Sequence, residues 1–177
     1  MAEDYLKGLD EVMQNLNKEI QAIEGRTSAG LIAASVVIQR ASVKENPRVP
    51  VDTSNLEHSF FRATKKGQLG SSKGFTGEDA GKMASEHSSA ITEATAIAKM
   101  YPGPLLILGY SANYAGFVHE NMEADFTSAR MVYDRKTHEA TIKERRSGAG
   151  PKFLEAHIIA KKSEVLQIIR DFATIKK

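Results

Sequence analysis

LIAASVVIQRASVKENPRVPVDTSNLEHSFFRAT, residues Leu31–Thr64, changes its periodicity halfway along. Leu31, Ile32, Val36, Val37 and Ile38, set among alanines and serines, suggest a rather buried helix. That helix must stop before Pro47, which has no N–H to give and whose ring clashes with the preceding turn. Beyond Pro50, the short carboxylate of Asp52 is suited to accept backbone N–H groups two residues on, and so to fix a turn with Thr53. Leu56–Thr64, rich in Phe and His, then reads as a strand. A helix handing over to a strand through a Pro/Asp turn points to an α+β protein.

Upstream, Leu6, Leu9, Met13, Leu16, Ile20 and Ile23 recur at spacings of three and four, one apolar stripe on a helix of about 17 residues. Gly25 punctuates it, and Thr27 or Ser28 is placed to cap the second member of an N-terminal helix pair. Downstream, Lys65 and Lys66 precede GQLGSSKGFTGEDAG, which supplies few apolar groups and predicts a mobile loop. Residues 80–100 predict a weak helix carried by Met83, His87, Ile91, Ala94 and Ile97 and ended by Pro102 and Pro104, so that 67–100 forms a flexible insert.

Leu105–Gly109 is too short for a helix and predicts a strand. Met131–Asp134 and Glu139–Lys143 predict a hairpin about Arg135–His138. Pro151 is placed at the first position of a C-terminal helix whose buried stripe is Leu154, Ile158, Val165, Ile169 and Phe172, with Lys176 and Lys177 near its C-terminal end. The expected architecture is one domain over 1–177, a central antiparallel sheet packed by the N-terminal helix pair and the C-terminal helix.

Hydrophobic residues at 41% and charged residues at 26% are ordinary for a globular chain and leave enough apolar surface for one core. With no Cys, the chain offers no disulfide, no thiolate metal site and no Cys nucleophile. The acidic N-terminus does not resemble a signal peptide and no apolar run is long enough for a membrane span, so a cytoplasmic place of synthesis is expected. The net charge of +2 is unevenly spread: residues 1–24 carry two basic against six acidic side chains, net −4, and residues 130–177 carry twelve against six, net +6. Such polarity suits a basic face for nucleic acid, complementary faces between neighbouring copies, or scattered solvated charge.

No serine-hydrolase elbow, phosphate-binding glycine loop, dinucleotide fingerprint or zinc-protease helix occurs. The five histidines lie far apart, and His119-Glu120, as adjacent residues on a helix, would point about 100° apart rather than at one ion. No metal and no cofactor is expected. Asp52, Asp125 and Glu120 are the best available carboxylates for acid–base work or a divalent cation. Arg145, Arg146 and Lys152 surround a Gly-rich corner and are the candidate DNA-facing groups, although no aromatic platform accompanies them.

Three stretches in this order resemble the minor tail-component family of long-tailed double-stranded DNA phages, a group of tail-completion and head–tail joining proteins. VPVDTSNLEHSF (Val49–Phe60) is similar to the family's Pro-Val-Asp-Thr-Gly-x-Leu turn, with Ser54 standing where the family has Gly. NYAGFVHE (Asn113–Glu120) is similar to its Tyr-Ala-x-aromatic-Val-x-Glu segment, and GPKFLEAHI (Gly150–Ile158) to its Gly-x-x-Phe-Leu helix entry. Nothing is recognised over about 67–100 or 124–148. The resemblance implies a structural virion protein without catalytic activity, a head–tail connector, neck, tail-completion or tail-terminator subunit. It would assemble in the host cytoplasm into a homo-oligomeric ring, expected to be a hexamer, that meets connector and tail-tube proteins while genomic DNA passes through its lumen. Pro50, Asp52 and Thr53 are then the turn motif. Tyr114, Phe117, Phe153 and Leu154 belong to the core or to the subunit interface, and the insert to segments that order on contact.

Overall fold

The computed structural model describes residues 2–70, 74–134, 139–143 and 145–174. It is an α+β fold in which a single helix, α1 (Ala2–Lys44), replaces the expected N-terminal pair. Gly25 does not break it. A glycine inside a helix costs only about 1 kcal/mol relative to alanine, and favourable neighbours on both sides outweigh that. Ser28, expected to cap a second helix, instead gives its hydroxyl proton to the Glu24 carbonyl one turn back, 2.8 Å away. The helix does end ahead of Pro47, as expected.

After Lys44 the chain runs through Val49, which is fully buried, to a tight turn at Ser54. Ser54 has φ 65°, the left-handed region that glycine enters at less cost. One helical turn, α2 (Asn55–His58), then takes the first part of the expected strand, because the Ser59 hydroxyl and N–H both close on the Leu56 carbonyl. β1 (Phe60–Thr64) follows, with β2 (Gly67–Gln68) on one side and β3 (Ile107–Tyr110) on the other, all antiparallel.

Between β2 and β3 the expected helix is present and more extensively packed than its weak propensity implied. Residues 80–100 form a full helix, α3 (Ala80–Met100), packed across β1. Met83, His87, Ala94 and Ala98 are its buried residues, so Ala98 takes the place expected for Ile97, which is 49% exposed. The glycine-rich run ahead of it is tied to the body at several points. Asn55 Nδ2 donates to the Thr76 carbonyl and Asn55 Oδ1 accepts from the Thr76 N–H, both at 2.9 Å. His58 Nδ1 lies 2.9 Å from the Gly74 carbonyl, and Phe75 meets His87 edge to face. Residues 71–73 lie outside the described residues.

After α4 (Ala115–Glu120), β4 (Arg130–Asp134) and β5 (Glu139–Lys143) form the expected hairpin, with Met131 opposite Ile142. The hairpin is a sheet of its own and does not extend the central one. Its turn at 135–138 lies outside the described residues.

The C-terminal helix is divided into α5 (Glu155–Ala160) and α6 (Lys162–Ala173). Its entry is four residues later than expected, because Lys152 sits at φ 55° and cannot belong to a right-handed helix begun by Pro151. The Lys152 N–H goes instead to the His119 carbonyl, 2.8 Å away. The buried members are Phe153 and His157 rather than Ile158, and His157 Nε2 lies 3.0 Å from the Pro47 carbonyl. Phe172, expected in the buried stripe, is 45% exposed, and Lys176 and Lys177 lie outside the described residues. α6 packs along the second half of α1. At Gly30 an added Cβ would stand 3.0 Å from the Ile169 Cα, so only the missing side chain lets the helices approach this closely.

Candidate functional site

The three motif segments are far apart in sequence and meet in one corner. Val49, Leu56, Ala112, Ala115 and Phe153, with Met83 from α3, form its buried cluster. Phe153 is the pin: its ring meets Tyr110 edge to face with centroids 5.2 Å apart and His119 at 4.9 Å. Tyr110 in turn hydrogen-bonds Ser42 of α1 at 2.9 Å and meets Phe60 of β1. Burial pushes the Tyr110 phenol up to about 12, against the opposing pull of the Ser42 bond, so it serves as a neutral hydrogen-bonding group. Leu154 packs against the same cluster.

Outside this pin lies a shallow cavity of about 170 Å³, lined in part by Pro50, Asp52, Thr53, Tyr114, Phe126 and Arg145. The structure thus brings together the turn motif and Tyr114. It parts Tyr114 from Phe117, because Tyr114 is 38% exposed at the cavity while Phe117 projects from α4 at 72% exposed. Of the four residues expected in core or interface, Phe153 is core, Leu154 borders it, and Phe117 stands outside. Burial, and then the Asp52 carboxylate, raise the Tyr114 phenol above its ordinary value.

The candidate DNA-facing cations are engaged within the chain. Arg146 reaches Glu57 at 2.5 Å and the Val49 carbonyl at 3.3 Å, clamping the segment that follows β5 to the first motif. Arg145 donates to the Asp125 carbonyl at 2.9 Å. The Lys152 ammonium stands 2.5 Å from Glu120 and 2.9 Å from Glu155, which hold its proton more firmly than usual and draw the Glu120 carboxyl below its ordinary range. A phosphate would have to displace these carboxylates.

The three expected carboxylates are not brought together. Asp125 accepts from the Ser128 hydroxyl and from Thr127, a local turn that holds its carboxyl far below the usual carboxylate pKa range. Asp52 lies at the cavity, and Glu120 at the lysine. Among the described residues one group of three possible metal ligands does converge: His119, Glu120 and Glu155, with the imidazole 3.9 Å from each carboxylate. The approach of His119 to Glu120 differs from the divergence expected of adjacent helical residues. Lys152 lies between the two glutamates, 2.5 Å and 2.9 Å from them, and offsets part of their negative charge beside the Pro151–Leu154 turn. Burial, aided by Lys152, lowers the His119 imidazole below its ordinary value, against the pull of the glutamates.

Sequence reasoning missed Glu57 as the partner of Arg146, since nothing in either residue's neighbourhood marks a pairing across 89 positions. It also missed that the stripe on α1 lies open over residues 12–23, where Val12, Met13, Leu16, Ile20 and Ile23 are between 46% and 62% exposed; the side chains of Leu6 and Leu9 lie outside the described ones. Comparison with known proteins finds no matching family model, no matching curated protein and no matching solved structure.

Proposed function

We propose that the chain is a structural, non-enzymatic subunit of the head–tail junction of a long-tailed double-stranded DNA phage, working as one member of a ring. The observation that carries this reading is the half of α1 that presents an apolar stripe to solvent. A large exposed apolar face on a folded domain is the mark of a surface that another protein covers. Two further features support it. The three family-like segments form one pinned corner, as expected if they set the subunit's shape, and Phe117 within the second of them is exposed as a contact residue would be. In this reading the ring holds six copies, meets the neighbouring connector and tail-tube proteins, and resides in the neck of the virion. Its lumen need not grip the genome, because tight phosphate contacts would resist passage.

The reading as a small DNA-binding protein has less behind it, since Arg146 and Lys152 are matched by Glu57, Glu120 and Glu155. No described helix is long and apolar enough to cross a membrane. The test is to image particles assembled without this subunit. Filled heads and tails left unjoined support a joining role, and overlong tails support a terminator that caps the tube. Normal infectious particles would overturn the proposal.

A further inference from the structure

We infer that the exposed stretch 10–23 of α1 is an arm that docks in a groove of a second copy of this chain, between the middle of α1 and the β1–β2 turn. This rests on the proposed reading that copies associate, and it names the surfaces that do so. Met13, Leu16, Ile20, Ile23, Thr27, Gly30 and Ala34 follow one another at alternating steps of three and four, the seven-residue repeat of a helix built to lie against something apolar. From Gly30 onward that face is covered by α6, and residues 10–23 extend past α6 without cover from any of the described residues.

Charge selects the occupant. Residues 10–24 carry one basic and four acidic side chains, net −3. Pairing two arms with each other sets like charge against like charge in either orientation, which disfavours a homotypic coiled coil. The groove supplies what the arm lacks. It has a volume of about 560 Å³ and is lined by Ile32, Leu69, Pro104 and Leu105 together with Lys65 and Lys66. Its one carboxylate, Glu24, is outnumbered by the two ammonium groups, and neither lysine is in an ion pair among the described residues. The arm cannot fold back into its own groove, because α1 runs unbroken through Gly25. A neighbour must fill it. Each copy then offers one arm and one groove, a heterologous contact that propagates head to tail and closes into a ring where the rotation allows.

The absence of cysteine makes the test clean. Protein carrying Leu16→Cys is mixed with protein carrying Leu69→Cys under mild oxidation, and Lys66→Cys replaces the second variant if Leu69→Cys does not fold. The expected product is a disulfide joining one variant to the other. Reversing both groove charges, Lys65→Glu with Lys66→Glu, is expected to weaken association about tenfold or more. Links only between two Leu16→Cys chains would replace the inference with a homotypic pair. Oligomers of unchanged mass without arm-to-groove links would overturn the inference and leave the ring reading standing, whereas a strict monomer would overturn both.

Discussion

The two halves of α1 carry the same pattern and meet opposite fates. From Gly30 to Ser42 the helix sinks Ala34, Ser35, Ile38, Ala41 and Ser42 below 5% exposure against α6 and the sheet. Over residues 10–23 the continuation of that face lies open. Helical periodicity therefore identifies which face is apolar without identifying what covers it. Coverage within the chain depends on α6 reaching only as far as Ala173, and on Gly30 permitting the approach.

The largest effect that should separate the halves comes from one truncation made in each. Ile38→Ala removes a side chain that is 4% exposed and is expected to cost about 2–5 kcal/mol in urea unfolding. Ile20→Ala, on the uncovered half, should shift the stability of the dilute subunit by under about 0.5 kcal/mol. Equal losses would mean that the arm is covered within its own chain. Next in size is Gly30→Val, which drives a β-branched group into the Ile169 backbone and should cost about 1–3 kcal/mol by the same measurement. A neutral result would show that α6 does not press on α1 at that point.

Acid should act through the covered region and spare the arm. His87 is buried against Phe61 and Phe75. Ser111 Oγ lies 2.6 Å from its Nδ1 and donates to the Ser59 carbonyl, so Nδ1–H is the donor and Nε2 is left without a partner among the described residues. Burial depresses the imidazole, which means that the unfolded chain binds the proton more readily than the folded one. Stability is then complete above the unfolded value, near about 6.5, and is lost as pH falls from there through the folded value. His119 acts in the same direction. His87→Gln should flatten part of that slope in a pH series of unfolding curves. An unchanged slope would assign it elsewhere.

Smallest is the turn of the first motif. Ser54→Gly relieves the left-handed strain at φ 65° while loosening the unfolded chain, for a net gain of about 0.5 kcal/mol. Loss of stability would show that the serine side chain contributes a contact there.

Much of this architecture was legible because it depends on local rules. The stop before Pro47, the helix ended by Pro102 and Pro104, β3 and the paired strands β4 and β5 all follow from proline chemistry and short-range periodicity. The order of the three motifs pointed to residues that do meet around Phe153. What was not legible depends on partners distant in sequence. Gly25 looked like a boundary because propensity was weighed without the neighbouring turns that outvote it. The ties of the glycine-rich run to the body were hidden because Asn55 could not be seen reaching Thr76. Lys152 could not be seen at φ 55° because the His119 carbonyl that holds its N–H lies a whole hairpin away.

The central claim, that the arm is built for another copy and not for its own core, is tested most directly by sedimentation of the purified chain beside Leu16→Glu/Ile20→Glu. The account predicts that the unaltered chain forms a closed oligomer as concentration rises, and that the double variant stays monomeric while unfolding at an unchanged urea midpoint. A double variant that unfolds more easily at a concentration where both proteins are monomers, or one that still assembles, would contradict it.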